Sequence, residues 1–339
     1  VAAIAERIAD GKIYRHGSIG GWGGICPQWS ILEELKVVAT ENELIALTNH
    51  KKTVIRCYAF RGMAEKQSNR TLDILQNHLK DKEEVETGYG SIVMHETVGN
   101  VFLDIIRPLH NFTPIYSLNE SSKNYLDSLI VFDDEINLAT KSRWIENIES
   151  KELYYPKLKD LYQKTADEYV FITLAKYQKE EDKVLIKNWL ERKKAERRKY
   201  LNRNQETAVR MALRWSEIGY AYPQFVLLKA ISHFPDPDFF PLVQEIHQQQ
   251  IQKTMNFRGD LVQMLYQTIV QYKTEESRKL IEKTLTQTKK RTKNYHKRYI
   301  WLALTQHPAP VFEGLIEQMK LSKREKEEFD FWFRELNEF

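Results

Sequence analysis

Three stretches of the chain align without gaps: "LLKAISHFPDPDFFPLVQEI" (227–246), "LYQTIVQYKTEESRKLIEKT" (265–284) and "IWLALTQHPAPVFEGLIEQM" (300–319). They lie 38 and 35 residues apart. Each reads as an apolar helix, a short polar or proline-containing turn and a second amphipathic helix. The turn falls at Asp236, Thr274 or Ala309. Asp and Thr at that point suit an N-cap, because a side-chain oxygen accepts from the free N–H groups of the next helix. Pro237 and Pro310 follow at the first helical position, where a missing N–H costs nothing. Leu227, Leu265 and Ile300 stand nine residues before the turn, and Ile231, Ile269 and Leu304 five before it. Leu242, Leu280 and Leu315 stand six after it. These spacings keep one face apolar at the helical period.

The register extends towards the amino terminus. With Glu180 at the turn, the matching residues are Phe171, Ala175 and Ile186; with Asn69, they are Phe60, Ala64 and Leu75. Thr40 pairs with Ile31 and Leu35, and Thr40-Glu-Asn-Glu43 has the form of a capping box. Units between 81 and 165 are expected but lack a clean register. Helical pairs at this period cannot bury their apolar faces singly, so they predict a stacked α-solenoid of roughly seven to nine pairs. Scarce glycine (13) and proline (10) among 339 residues agree with an all-α chain. The aromatic stretch 326–339 is expected to cap the stack.

"LIALTNHKKTVIRCYAFRGMAEK" (44–66) carries a more specific pattern. Leu44 and Leu47 lie on a first helix, followed by Ile55-Arg56, then Ala59 and Met63-Ala64. This resembles the HEAT repeat of the Armadillo-like helical group, including its bilin-lyase-like variety. Asn49-His50 replace the usual Asp-Pro at the turn, and a partial "AVRMA" recurs at 208–212. The resemblance implies a right-handed α-α superhelix over residues 1–339, with a concave face and no catalytic machinery. It also implies that Arg56 pairs with acidic groups between repeats. Within that span the reading separates an N-terminal helix with a glycine-rich loop (1–30), an irregular loop region (81–120) and more regular repeats (166–339).

Cys57 invites a nucleophile reading, since Arg56 adjoins it. Yet it lies three residues before Phe60, on the repeating apolar face, where a thiol acts as a small hydrophobe. Cys26 and Cys57 make neither a disulfide scaffold nor a zinc set; they would pair only in an oxidising compartment. A cytoplasmic setting is expected. Export stays open because the chain starts at Val1. No apolar run approaches the ~18 residues of a membrane span.

Three places could carry function. The loop "HGSIGGWGGICPQW" (16–29) has five glycines but neither nucleotide-binding fingerprint, and it would present Trp22 and Trp29. The stretch 81–100 interrupts the repeat and holds Tyr89, His95 and Glu96; "HETVG" lacks the second histidine of a zincin. The plain alternative is a linker in the first case and, in the second, a solvated loop that caps the helix after Glu96. Two basic runs complete the set. "KNWLERKKAERRKYLNR" (187–203) has a net charge of +6, with Arg192, Lys193, Arg197 and Arg198 among its cations. "KKRTKNYHKRY" (289–299) has six cations including Lys290 and Arg291, with Tyr295 and Tyr299 between them. Basic runs with aromatics suit phosphate backbones, but exposed solenoid helices also carry Lys and Arg freely. The whole chain is only +4.

The expected function is therefore a non-enzymatic scaffold that binds a protein or peptide partner on its concave face, with no cofactor and no metal. A nucleic-acid binder using the basic runs is the alternative. An enzyme of the DNA-glycosylase or lyase kind, built on the two loops, is a third reading.

Overall fold

The computed structural model describes residues 1–15, 27–89, 92–108, 115–136, 141–203, 222–253, 259–287 and 289–337. The "AVRMA" segment at 208–212 lies outside them. The chain is predominantly helical, 74% helix against 4% strand, and divides into two compact units, Val1–Ile148 and Glu149–Phe339.

In the first unit, α1 (Ala2–Ala9), α2 (Pro27–Val38), α3 (Glu41–Leu47) and α6 (Val98–Ile106) gather around α4 (Thr53–Glu65). The capping box is present: Glu43 N–H donates to Thr40 Oγ1 at 3.3 Å, and Thr40 N–H to Glu43 Oε2 at 2.9 Å. Helix α4 is buried from Val54 to Ala64 except at Arg56, as its apolar circumference requires. Phe60 stacks on Phe102 of α6, with centroids 4.0 Å apart. Helix α5 (Thr71–His78) starts two residues beyond the Asn69 cap read from the sequence; Ser68 Oγ takes Arg70 N–H at 3.1 Å and shifts the turn.

Residues 84–97 form strands where the sequence reading placed an irregular loop. Strand β2 (Glu84–Tyr89) runs antiparallel to β3 (Ile92–Thr97), with Glu86 opposite His95 and Thr87 opposite Met94. Strand β1 (Ile13–Arg15) adds in parallel, Tyr14 beside Thr87. The inner residues Tyr14, Val85 and Thr87 are buried, and the sheet packs on α4. Thr97 then N-caps α6, accepting from Asn100 N–H at 3.3 Å. Helices α7 (Glu120–Phe132) and α8 (Lys141–Glu146) complete the unit.

In the second unit, α9 (Tyr155–Thr165) packs on α10 (Glu168–Ala175), which Asp167 caps, and α11 (Lys183–Arg203) follows. A helix α12 over 222–233 precedes α13 (Phe240–Gln252), α14 (Gly259–Gln271), α15 (Glu275–Gln287), α16 (Lys290–Gln306), α17 (Leu315–Gln318) and α18 (Lys323–Asn337). The aligned turns sit where the repeat puts them. Asp236 accepts from Asp238 N–H at 2.9 Å, and Thr274 and Ser277 cap each other reciprocally. First helices lie against first helices: Thr268 of α14 donates to Leu228 O of α12 at 3.0 Å, and α14 packs on α16. Second helices do the same, α13 on α15. Leu227, Leu265, Ile300, Ile231, Ile269 and Leu304 are buried, as are Leu280 and Leu315. At the remaining position Leu242 is half-buried, and its neighbour Val243 faces the core instead. Helix α18 packs on α16, Phe329 against Trp301 with centroids 5.9 Å apart.

One linkage recurs although its sequence signature fades. Arg56, in the first turn of its helix, reaches forward to Asp81 (3.0 Å) and Glu83 (3.1 Å). Lys183 reaches Asp236 at 2.7 Å, and Arg278 donates to Val311 O at 2.6 Å and Glu313 O at 3.0 Å. Each ties a second helix to a later turn within its own unit.

Candidate functional site

Trp22 and Cys26 lie outside the described residues. Trp29 sits in the first turn of α2, half-buried beneath the Arg61 guanidinium, which is 4.2 Å from the ring centroid. Arg61 also donates to Tyr14 Oη at 3.3 Å and to Glu65 at 2.7 Å, and Lys36 meets the same Glu65 at 2.7 Å. Burial pushes the Tyr14 phenol up to about 12, with Arg61 partly opposing. This cluster locks α2 to α4 and the sheet, and the Tyr14 phenol stays protonated near neutral pH.

His95 and Glu96 do not converge. Adjacent strand residues point to opposite faces of a sheet: His95 is exposed opposite Glu86, whereas Glu96 turns inward and accepts from Thr87 Oγ1 at 2.7 Å. Tyr89 ends β2, and its side chain lies outside the described residues. The acid–base grouping suggested for a glycosylase-like or lyase-like enzyme therefore separates. Cys57 is a free, fully buried thiol. Burial pushes its pKa well up, and Asp81 and Glu96 add to the effect, so it is a packing residue and not a nucleophile. Among the described residues, no three His, Cys, Asp or Glu side chains cluster to hold a metal ion, and no helix is long and apolar enough to cross a membrane.

The two basic runs part company. In α11, Arg192 donates to Tyr162 Oη at 2.7 Å and to Ala166 O at 3.2 Å, where α9 ends in a left-handed residue. It also pairs with Glu196 at 3.2 Å. Lys193 meets Glu196 at 3.0 Å over the Trp189 ring, Lys194 meets Glu191 at 2.6 Å, and Lys187 meets Asp238 at 2.8 Å. The Arg197 and Arg198 side chains lie outside the described residues. Helix α16 differs. Lys289, Lys290, Arg291 and Lys293 close no ion pair among the described residues. Lys297 only lies near Glu325, whose carboxyl is held below its ordinary range chiefly by hydrogen bonds from Ser322. The interleaved tyrosines are engaged: the Arg298 guanidinium lies 4.8 and 4.6 Å from the Tyr295 and Tyr299 ring centroids, and it donates to Tyr299 Oη at 2.7 Å.

Beneath α16 lies a buried polar group that the sequence reading missed. Tyr266 Oη is 2.7 Å from His296 Nδ1 and 2.9 Å from Thr284 Oγ1, and Thr284 Oγ1 is 2.8 Å from His247 Nε2. Burial pulls His247 down to about 3 and His296 to about 4, so both rings are neutral at pH 7. A signal existed: Thr284 stands four residues after Leu280, and His296 four before Ile300, on the buried arcs of their helices. Buried from water, this network joins helices α13 to α16.

Compared with family models, curated proteins and solved structures, the chain matches none.

Proposed function

We propose that the chain is a non-enzymatic helical-repeat scaffold of the HEAT-like kind, a right-handed α-α superhelix that binds a protein or peptide partner on the face formed by its second helices. The observation that carries this reading is the stacking in the second unit, where α14 packs on α16 and α13 on α15, with the turns at Asp236 and Thr274 each capped by that residue's side chain. Stacks of this kind offer an extended surface without a deep cleft. The dispersal of His95, Glu96 and Cys57 supports a binding role over a chemical one.

The test starts from partners cross-linked in the native host and rebuilt from purified components. Glu245→Lys on α13 and Lys279→Glu on α15 change exposed positions of the second helices. The expected result is a saturable complex weakened tenfold or more by the pair. A complex indifferent to both changes, or turnover of a small molecule by the purified chain, overturns the reading.

A further inference from the structure

Five cations occur within nine residues at the start of α16: Lys289, Lys290, Arg291, Lys293 and Lys297. Lys290, Lys293 and Lys297 stand three and four residues apart, so they share one side of the helix over about 10 Å of its length. Every local rule is inverted here. Like charges at these spacings repel. They crowd the positive end of the helix dipole, where acids are favoured. The first turn holds no acid, and Lys289 at the cap makes no side-chain capping bond. Elsewhere in the same unit, cations such as Lys183, Lys187 and Lys194 meet carboxylates within 3 Å. Among the described residues, Lys289, Lys290, Arg291 and Lys293 have no such neighbour, and Lys297 only lies near Glu325.

We propose that the start of α16 is a docking surface for the phosphate backbone of a nucleic-acid duplex. Three observations choose this partner. Lysine-rich surface is depleted at the cores of protein–protein interfaces, which favour aromatic and aliphatic anchors. Among the described residues, no large apolar side chain of α16 is exposed. An anionic membrane asks for an exposed apolar face beside the cations, but here the adjoining face, with Thr292, His296 and Ile300, is buried in the core. Single-strand binders stack bases on free aromatic rings, whereas Tyr295 and Tyr299 are occupied by Arg298. Gly259, at the start of α14, adds to this packing: a Cβ there would lie 2.4 Å from Tyr299 Oη. A contact made only by lysine and arginine to phosphate is independent of base sequence. This surface is separate from the α13 and α15 face, so either proposal can fail alone.

The experiment is a fluorescence-anisotropy titration of the full chain with a labelled 20-base-pair DNA duplex across a salt series. With about three phosphates neutralised, log K falls against log salt with a slope of about −3, so raising salt from about 50 to 200 mM weakens binding about 60-fold. Each of Lys290→Gln, Lys293→Gln and Lys297→Gln makes the slope shallower by about 0.9, and the triple variant binds tenfold or more weakly at low salt. Lys193→Gln with Lys194→Gln, on α11, leaves affinity within twofold. Circular dichroism checks that every variant keeps its helix content. No binding at 50 mM salt overturns the proposal, as does binding indifferent to the triple change. Tighter capture of poly-glutamate or of vesicles rich in anionic lipid than of the duplex also overturns it, in favour of an acidic protein or a membrane.

Discussion

Helices α11 and α16 carry similar charge in sequence and opposite electrostatics in the fold. In α11 the described cations are spent inside the unit: Arg192 closes the end of α9, Lys187 reaches Asp238, and Lys193 and Lys194 find Glu196 and Glu191. In α16 the first cations find no acid among the described residues. The difference is one of spacing. Glu196 stands four residues after Arg192 and three after Lys193, and Glu191 three before Lys194, which are the separations at which side chains meet on a helix. No acid occurs anywhere in 289–299. Net charge over a window cannot separate these cases; the positions of the acids within it can.

The largest expected contrast comes from pH, because the buried sides of the two helices differ. Helix α11 buries Ile186 and Trp189; α16 buries His296 against Tyr266 and, through Thr284, His247. Both histidines have folded pKa values far below the ordinary 6.5, about 3 and about 4, with burial as the main cause in each; for His247 the nearby His296 and Lys283 add to it. Below pH 6.5 the unfolded chain binds protons that the folded chain refuses. The stability these groups contribute is therefore complete above pH 6.5 and lost as pH falls towards 4. At pH 5 the loss is on the order of 2 kcal/mol for each ring. Hydrogen exchange between pH 7.5 and 5 should show α13 to α16 loosening well before α9 to α11. Replacing both residues, His247→Gln with His296→Gln, should flatten the response. Equal loosening in both regions would remove the distinction.

Next in size is the value of a spent cation against a free one. Arg192→Ala strips a hydrogen bond from the buried Tyr162 hydroxyl and another from Ala166 O. It should cost about 2 kcal/mol, in the range for hydrogen bonds to charged groups. Lys290→Ala, at an exposed position in no ion pair among the described residues, should stay within about 0.5 kcal/mol of the parent. Urea unfolding of the two variants measures both. If the two losses are equal, the contrast between the helices is wrong.

Much of this was legible in the sequence, and the gaps have physical causes. The helix pairs declared themselves because Leu227, Leu265 and Ile300 recur at a helical period, with Asp236 and Thr274 as caps. Strand β2 hid because its exposed residues, Glu84 and Glu86, leave only Val85 and Thr87 to show the alternation. The sheet's third strand, Ile13–Arg15, lies some 70 residues away and pairs over just three positions, a contact no local pattern reports. The same alternation undid the pairing of His95 with Glu96: neighbours in sequence are opposites on a strand. The Arg56 linkage to Asp81 and Glu83 followed from the resemblance in 44–66. Its counterparts at Lys183 and Arg278 did not, because a different basic residue, or a backbone oxygen in place of a carboxylate, does the same job.

The smallest effect is the most discriminating. Lys290→Glu exchanges a cation at the positive end of the α16 dipole for an acid, and it sets that acid three residues before Lys293. Both changes favour the helix, the first by 0.3–1 kcal/mol at an exposed site and the second by about 0.3 kcal/mol. Thermal unfolding should therefore occur a few degrees higher, at low salt above all, since screening weakens both terms. If the cations of α16 exist to meet an outside anion, the same substitution must weaken duplex binding while it strengthens the fold. A gain in stability with binding lost is the signature of a residue kept for a partner. A loss of stability would mean that Lys290 serves α16 itself, as Arg192 serves α11.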